Sequence, residues 1–332
     1  MKKVIVIPGD GIGPEILDAT LTVLDKLVSD IEFIRVEAGF KVWQEKGYPI
    51  SDEDLELIKK YRLILKGPIA TPVQRGMYKS VNVLIRKTLD LYANVRLFRS
   101  IPGISPFENV NMVIVRENTE GLYAGIECKP TNDTAISLRV ITRKGSERVI
   151  DYAFRYAVQN NRKKVTIIHK ANILRETCGL FLEIAREVAK RYPQIEMDEV
   201  IVDAAAYKMI KSPEVFDVVV TTNMFGDILS DEVAALVGSL GLVPSMNVGD
   251  NGAMFEAVHG TALDIAGKGI ANPTGLLLSA ALMLRYLGKK READILEKAV
   301  LRTLEYCRTP DLGGSSTTKI FVENIIKNLE VT

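Results

Sequence analysis

The chain reads as an α/β protein organised on a largely parallel sheet, and three features carry that expectation. Short β-branched runs recur along it (KVIVIPG, RLILKGP, NMVIVREN, KVTIIHK, EVIVDA and FDVVVTTN), each the length of a strand buried on both faces. Amphipathic helical segments such as GPEILDATLTVLDKL and GLFLEIAREVAKRY fall between them, the alternation that builds βαβ units. The C-terminal stretch, from GLLLSAALMLRYLG through EADILEKAVLRTLEYC to TTKIFVENIIKNL, is almost wholly helical. With 332 residues the chain suits roughly two domains of ~150 residues. No repeat or low-complexity linker marks a boundary, so the chain can cross between domains more than once.

Composition narrows the function classes. A net charge of +1 gives no basic surface for nucleic acid or membrane. The apolar stretch GLLLSAALML is too short to span a bilayer, and the opening MKKVIVIPGDGIGPE runs straight into a Gly-Pro turn, unlike a signal peptide. Cys128, Cys178 and Cys307 are few and lack CxxC spacing, so free thiols in a reducing, cytoplasmic compartment are expected, and no zinc site.

The motifs follow in chain order. IPGDGIGPE sits between a strand and a helix, but Gly9, Gly11 and Gly13 do not fit G-x-G-x-x-G, and Pro14 takes the first helical position. A tight turn beside a ligand is expected there, not a Rossmann fingerprint. YKSVNVLIRKTLDLYANVRLFRS and MVIVRENTEG then bring Arg86, Arg96, Arg99 and Arg116. Arginine suits bidentate capture of carboxylate or phosphate, and those beside strand-like runs need a partner. Ser80 and Asn82 can add neutral hydrogen bonds to such an anion site. Tyr123, after a strand and a Gly turn, is either a core tyrosine or a proton donor. Segment 130–145, PTNDTAISLRVITRKG, reads as an exposed hairpin or a dimer arm.

Lys170 ends the strand KVTIIHK and Asp203 ends EVIVDA, positions where α/β sheets place ligands. Partial desolvation lowers a lysine's pKa toward base chemistry. In NMFGDILSDEVAALVG, helical spacing stacks Asp227 and Asp231 on one face, where they repel. A helix N-terminus tolerates acids through its dipole. A divalent cation, with Asp203 as third ligand, converts the repulsion into coordination, and carboxylate oxygens suit Mg²⁺ or Mn²⁺. FEAVHGTALDIAGKGIANPTG reads as a long functional loop.

Together and in this order, GDGIGPE, HKANIL, NMFGDILSDE and HGTALDIAGKGIANPT resemble the β-decarboxylating dehydrogenases, the family of isocitrate, homoisocitrate and 3-isopropylmalate dehydrogenases. The resemblance runs from GDGIGPE to TPDLGG. It implies an isopropylmalate-dehydrogenase-like two-domain α/β fold that is not a Rossmann fold, with a central mixed sheet flanked by helices. Residues 1–96 and 234–332 would form a large domain and 97–233 a small one, in a homodimer with shared active sites. The 130–145 segment would be the dimer arm.

By that resemblance Arg86, Arg96 and Arg116 clamp substrate carboxylates and Tyr123 protonates the enolate. Lys170 assists removal of the hydroxyl proton in the neighbouring subunit's site. Asp227 and Asp231 hold Mg²⁺ or Mn²⁺ with the neighbour's Asp203. His259, Gly260, Asp264 and Asn272 match the adenosine-binding loop, and Thr71 and Asn172 fall near the nicotinamide. Asp264 can bond a ribose 2′-hydroxyl but repels a 2′-phosphate, so NAD is expected. Ser80 and Asn82 resemble the pair that meets isocitrate's third carboxylate. Homoisocitrate is the runner-up, since a methylene discriminates by only ~1–3 kcal/mol; a promiscuous enzyme, including one for 3-isopropylmalate, is also open. Two readings come from other classes: a catalytically silent, regulatory subunit, or a Mg²⁺ phosphoryl-transfer site. The former tends to lack groups that are all present here, and the latter lacks a P-loop. The chain departs from the family pattern at Arg75, Met77, Leu97, Ala204, Ala257 and Leu263, none of them a catalytic group.

Overall fold

The computed structural model describes residues 1–74 and 76–330; Arg75, one of the departures noted above, lies outside the described residues. The chain begins with β1 (Lys2–Ile7), α1 (Gly13–Leu27), β2 (Ile31–Arg35), α2 (Phe40–Lys46), α3 (Asp52–Tyr61), β3 (Leu63–Lys66) and α4 (Val81–Thr88). It continues through β4 (Ala93–Arg99), β5 (Asn111–Glu117), the hairpin β6 (Glu127–Thr131) and β7 (Thr134–Ser137), α5 (Arg143–Gln159), β8 (Lys164–His169) and α6 (Thr177–Ala189). Next come β9 (Glu196–Ile201), α7 (Val202–Lys211), β10 (Val218–Thr221), α8 (Asn223–Val237), β11 (Pro244–Val248) and β12 (Ala253–Ala257). α9 (Thr274–Tyr286), α10 (Lys290–Tyr306) and α11 (Thr318–Leu329) end it, as the apolar periodicity of this stretch predicts.

Ten strands form one mixed sheet in the order β2-β1-β3-β12-β11-β4-β5-β10-β8-β9. Pairing is parallel except where β11 meets β12 and β4, and where β4 meets β5. The expected parallel character therefore holds toward both edges and gives way in the middle. Two expectations shift. Asp203 lies in the first turn of α7 and does not end a strand, because β9 passes directly into the helix at Val202. Of segment 130–145, only the part up to Ser137 is hairpin, and residues from Arg143 belong to α5, capped by Thr142.

Helix starts follow local chemistry. Ser51, Ser80, Thr142 and Thr317 each accept a hydrogen bond from an orphan N–H in the first turn that follows. α1 has no side-chain cap; it begins at Gly13, so Pro14 is its second residue, one position later than expected but still in the first turn, where a missing N–H costs nothing. The glycine turn before it packs against a distant loop: Gly11 has φ +60°, a side chain there would meet the Thr261 carbonyl oxygen at 1.9 Å, and Ile12 N–H donates to that oxygen.

One face of the sheet carries a continuous core from Val4 and Leu65 through Val95 and Val115 to Val165 and Val220, covered by α1, α5, α6 and α9–α11. The other face is divided. Ile5, Ile64 and Met254 pack with α4 at one end, while Phe98, Ile114 and Val219 pack with α7 and α8 at the other. Between these two clusters the strands carry polar residues: Lys66, Glu256, Ser245, Asn247, Asn94 and Arg96, all buried. Register aligns Lys66, Glu256, Ser245 and Arg96 in one row across four strands, so their side chains leave the same face. No helix of the described residues is long and apolar enough to cross a membrane.

α8 crosses this face close to the sheet. Gly226 allows it: a Cβ there would lie 2.7 Å from Cβ and Cγ of Arg116. In an open helix Gly→Ala stabilises by about 0.5–1 kcal/mol. Here Gly226→Ala is expected to destabilise by about 1–3 kcal/mol through overpacking. The shift of the urea midpoint relative to wild type measures it, and the sign alone separates the two effects.

Candidate active site

The polar row forms the floor of a cavity of about 250 Å³. Ser80, Asn82 and Arg86 reach it from α4, Arg96 from β4, Arg116 from the end of β5, and Tyr123 from the turn after it. Asp227 enters from α8, and His259 and Gly260 from the loop after β12. Nine of the residues singled out in the sequence thus meet in one place.

Two residues that the sequence motifs do not single out anchor the floor. Glu256 is buried, with Lys66 Nζ at 2.5 Å, Arg86 Nη2 at 3.0 Å and Asn247 Nδ2 at 2.8 Å. These cations hold its carboxyl well below the usual carboxylate range, although burial opposes that shift. Burial pushes Lys66 down, and the charge of Glu256 works against this. From Glu256 a relay of amides runs across the sheet. Asn94 Nδ2 donates to Asn247 Oδ1 at 2.9 Å, and Arg96 Nε donates to Asn94 Oδ1 at 2.8 Å. A Lys and a Glu near the ends of strands, in LILK and AMFEA, were the available signal.

At the other wall Arg116 donates to Asn223 Oδ1 from Nε and Nη2, at 3.0 and 2.7 Å, and pairs with Asp227. Arg96 donates to Ser230 and lies 3.4 Å from Asp227 and 3.5 Å from Asp231, so the two stacked carboxylates do face one cation. Burial pushes Arg116 down to about 10, helped by the nearby charge of Arg96, and burial also lowers Arg96. Asp227 is pushed up by burial but ends below its ordinary value because of Arg116, the Tyr123 hydroxyl and Arg96. Asp231 is raised, first by burial. Tyr123 donates its hydroxyl to Asp227 and stands 4.9 Å from the Arg116 guanidinium. Burial, then the bond to Asp227, raises its pKa, so it is a neutral phenol holding its proton. Lys66, Arg86, Arg96 and Arg116 face only Glu256 and Asp227 among the lining carboxylates. The cavity therefore attracts an anion with several carboxylates.

The loop leading to α4 is braced from outside. The Asp10 carboxylate accepts from the N–H groups of Phe40, Lys41 and Ala70. Tyr78 donates to the Ala70 carbonyl at 2.9 Å and packs on Trp43, which stacks on Phe40. Ser80 Oγ accepts from Val83 N–H and from Thr71 Oγ1, and Asn82 Nδ2 reaches the Ile69 carbonyl.

Other expected residues stand apart. Lys170 Nζ pairs with Asp203 Oδ1 at 2.5 Å, and neither lines this chain's cavity. Among the described residues no cluster of three or more acids, histidines or cysteines forms, so Asp203 does not join Asp227 and Asp231 within one chain. Thr71, Asn172 and Asp264 are exposed. Asn272 is buried with its side chain committed: Nδ2 donates to Thr309 at 2.8 Å, and Oδ1 accepts from Thr274 N–H at the start of α9. It shapes the loop through these bonds. His259 Nδ1 lies 2.9 Å from the Gly260 carbonyl, while its Nε2 is buried without a partner.

Comparison with known proteins agrees with this arrangement. The family model "Isocitrate/isopropylmalate dehydrogenase" matches residues 3–327. The chain is 49% identical to a homoisocitrate dehydrogenase of Methanocaldococcus jannaschii, covering 98% of this chain and 97% of that one. It is 48% identical to a mitochondrial regulatory subunit of NAD isocitrate dehydrogenase from Dictyostelium discoideum, covering 99% and 92%. The crystal structure of isocitrate dehydrogenase from Methylococcus capsulatus superposes with a TM-score of 0.96 at 49% identity, covering 99% of each chain. Relatives named for NAD and for NADP both occur. On sequence and fold alike, the chain belongs to the isocitrate/isopropylmalate dehydrogenase family, enzymes that oxidatively decarboxylate 3-substituted malates.

Proposed function

We propose that the protein is an NAD-dependent isocitrate dehydrogenase, releasing 2-oxoglutarate, CO₂ and NADH. The observation that carries this reading is the meeting of Arg86, Arg96, Arg116, Tyr123 and Asp227 in one cavity with Ser80 and Asn82 on its rim. The arginines orient a polycarboxylate, which supplies part of the rate enhancement by proximity. α4 offers Ser80 and Asn82 where an isopropyl group would need an apolar wall, favouring a third carboxylate. Homoisocitrate is the second reading, supported by the apolar side chains of Val83 and Ile69 in the same lining, which suit contact with one more methylene.

Asp227 and Asp231 fit a Mg²⁺ or Mn²⁺ ion by donor type, the set being completed by Asp203 of a second chain. Bound there, the cation supplies Lewis acidity beside the reacting hydroxyl and carboxylate. A nicotinamide cofactor, NAD in this reading, would supply the hydride acceptor for C2 of the substrate. His259, with its unpartnered Nε2, and Gly260 border the place for its adenosine, and exposed Asp264 disfavours a 2′-phosphate. Lys170, contributed by the second chain, takes the hydroxyl proton, and Tyr123 delivers its own to C3 after CO₂ leaves.

A homodimer is part of this reading. Lys170 and Asp203 sit beside a patch where Tyr207 and Ile210 of α7 and Ile228 of α8 are 68%, 51% and 61% exposed, apolar surface suited to a second copy. The hairpin β6–β7 is the candidate arm. In this reading residues 1–96 and 234–332 form a large domain and 97–233 a small one; the cavity face carries two separate apolar clusters, although Leu236, Val237 and Val243 pack in the one built mainly from 97–233. Free Cys128, Cys178 and Cys307 accord with a cytoplasmic setting.

Isocitrate, homoisocitrate and 3-isopropylmalate are to be compared side by side for NADH formation. The highest kcat/KM is expected with isocitrate, with NAD favoured over NADP and activity abolished by EDTA and restored by Mn²⁺. Equal rates with all three substrates, indifference to chelation, or no turnover at all would sink the assignment; the last would leave the silent, regulatory reading. Tyr123→Phe and Lys170→Met are each expected to lose about 10²–10⁴-fold in kcat. If the sites are shared between chains, co-refolding the two variants regenerates one intact site per mixed dimer and returns roughly a quarter of wild-type activity. No recovery would mean that each site is built from one chain.

A further inference from the structure

Behind the substrate cavity, on the opposite face of the sheet, lies a groove of about 910 Å³. β4 and β11 floor both. Leu97 and Met246 face the groove, while Arg96 and Ser245, their neighbours along the strands, line the cavity. One wall is aromatic: Tyr152 lies 6.5 Å from Tyr92 edge-on and 6.5 Å from Tyr156 nearly parallel. Burial raises the pKa of both Tyr152 and Tyr156, so they are neutral donors, yet neither hydroxyl makes a hydrogen bond among the described residues. Neither is sealed from solvent, so both hydroxyls are open to a ligand in the groove.

The charge at the mouth is lopsided. Arg155 and Arg162 hold carboxylates of their own at 2.8 and 2.9 Å, and Arg285 pairs with both Asp294 and Glu297. Among the described residues Arg99 has only Glu297, at 3.9 Å, a carboxylate already engaged by Arg285 at 2.6 Å. The Arg99 side chain is 70% exposed. Asp250 borders the Tyr92 end and disfavours an anion there. The volume lies within the range of small-molecule sites.

We propose that this groove is a second ligand site, separate from the substrate cavity, for a planar aromatic molecule with one anionic group. The ring lies against Tyr152 and Tyr156, and the anion sits at Arg99, where a guanidinium fork suits carboxylate or phosphate. A nucleoside phosphate and an aromatic carboxylic acid share this chemistry.

Titration calorimetry on the full chain, with saturating NAD present to fill nucleotide sites elsewhere, tests it using adenosine 5′-monophosphate, 4-hydroxybenzoate and inorganic phosphate. Saturable binding of either ring-bearing anion, one per chain and about tenfold or more weaker in Arg99→Glu, is expected. Which of the two binds identifies the source. Arg99→Glu should leave the melting temperature and basal kcat/KM unchanged, since Arg99 touches neither the core nor the substrate cavity. Failure of both ring-bearing anions to bind, unchanged affinity in Arg99→Glu, or equal binding of phosphate alone would overturn the proposal. None of these outcomes depends on which substrate the enzyme oxidises.

Discussion

A single buried carboxylate sets the terms for the middle of this molecule. Glu256 lies between Lys66 and Arg86, and an ion withdrawn from water costs several kcal/mol unless partners replace its hydration. Two cations and the Asn247 amide do so, and the amides of Asn247 and Asn94 carry the same order on to Arg96. The apolar core of that face must therefore stop on either side of the row, whereas the opposite face keeps one uninterrupted core. The sheet is thus held rigid from behind while its front offers fixed charges. Groups fixed in this way need no reorganisation when charge develops on a ligand.

The second wall holds two buried cations beside one shared carboxylate. Arg96 and Arg116 are buried, and in this arrangement their counter-charge is Asp227, shared with the Tyr123 hydroxyl. A substrate carboxylate offers the arginines the same kind of oxygen. Asp227 would then be released toward Asp231, which faces it one helical turn along. Gly226 lets α8 lie directly upon Arg116.

Much of the fold and the site was legible in the sequence, and the gaps have physical causes. The β-branched runs and the C-terminal helices declared themselves because each is locally consistent. Arg96 and Arg116 were legible because a charge within a strand-like run needs a partner, Asp227 because stacked like charges on one helix face need a counter-charge, and Arg86 and Tyr123 because they stand beside such runs in motifs that resemble the family's. Lys66 ends the recognised strand LILK, but its partner Glu256 lies in AMFEA, which carries little strand signal, and Glu256 meets Arg86 only through a separation of 170 residues. Asp203 was misplaced because nothing in EVIVDAAAYKMI breaks the chain between strand and helix. Asn272 looks like a ligand contact in its motif, yet its side chain is occupied in starting α9. Within one chain Lys170 and Asp203 pair with each other away from the cavity, a contact across 33 residues that no local pattern announces.

The bracing of the substrate loop has a spectroscopic side. Trp43 is the sole tryptophan of the chain, and it stands 5.9 Å from Tyr78, just before the cap of α4. Its emission therefore comes from one known spot, and any shift of that loop changes its surroundings directly. The protein carries a native optical reporter, readable without labels or engineered dyes.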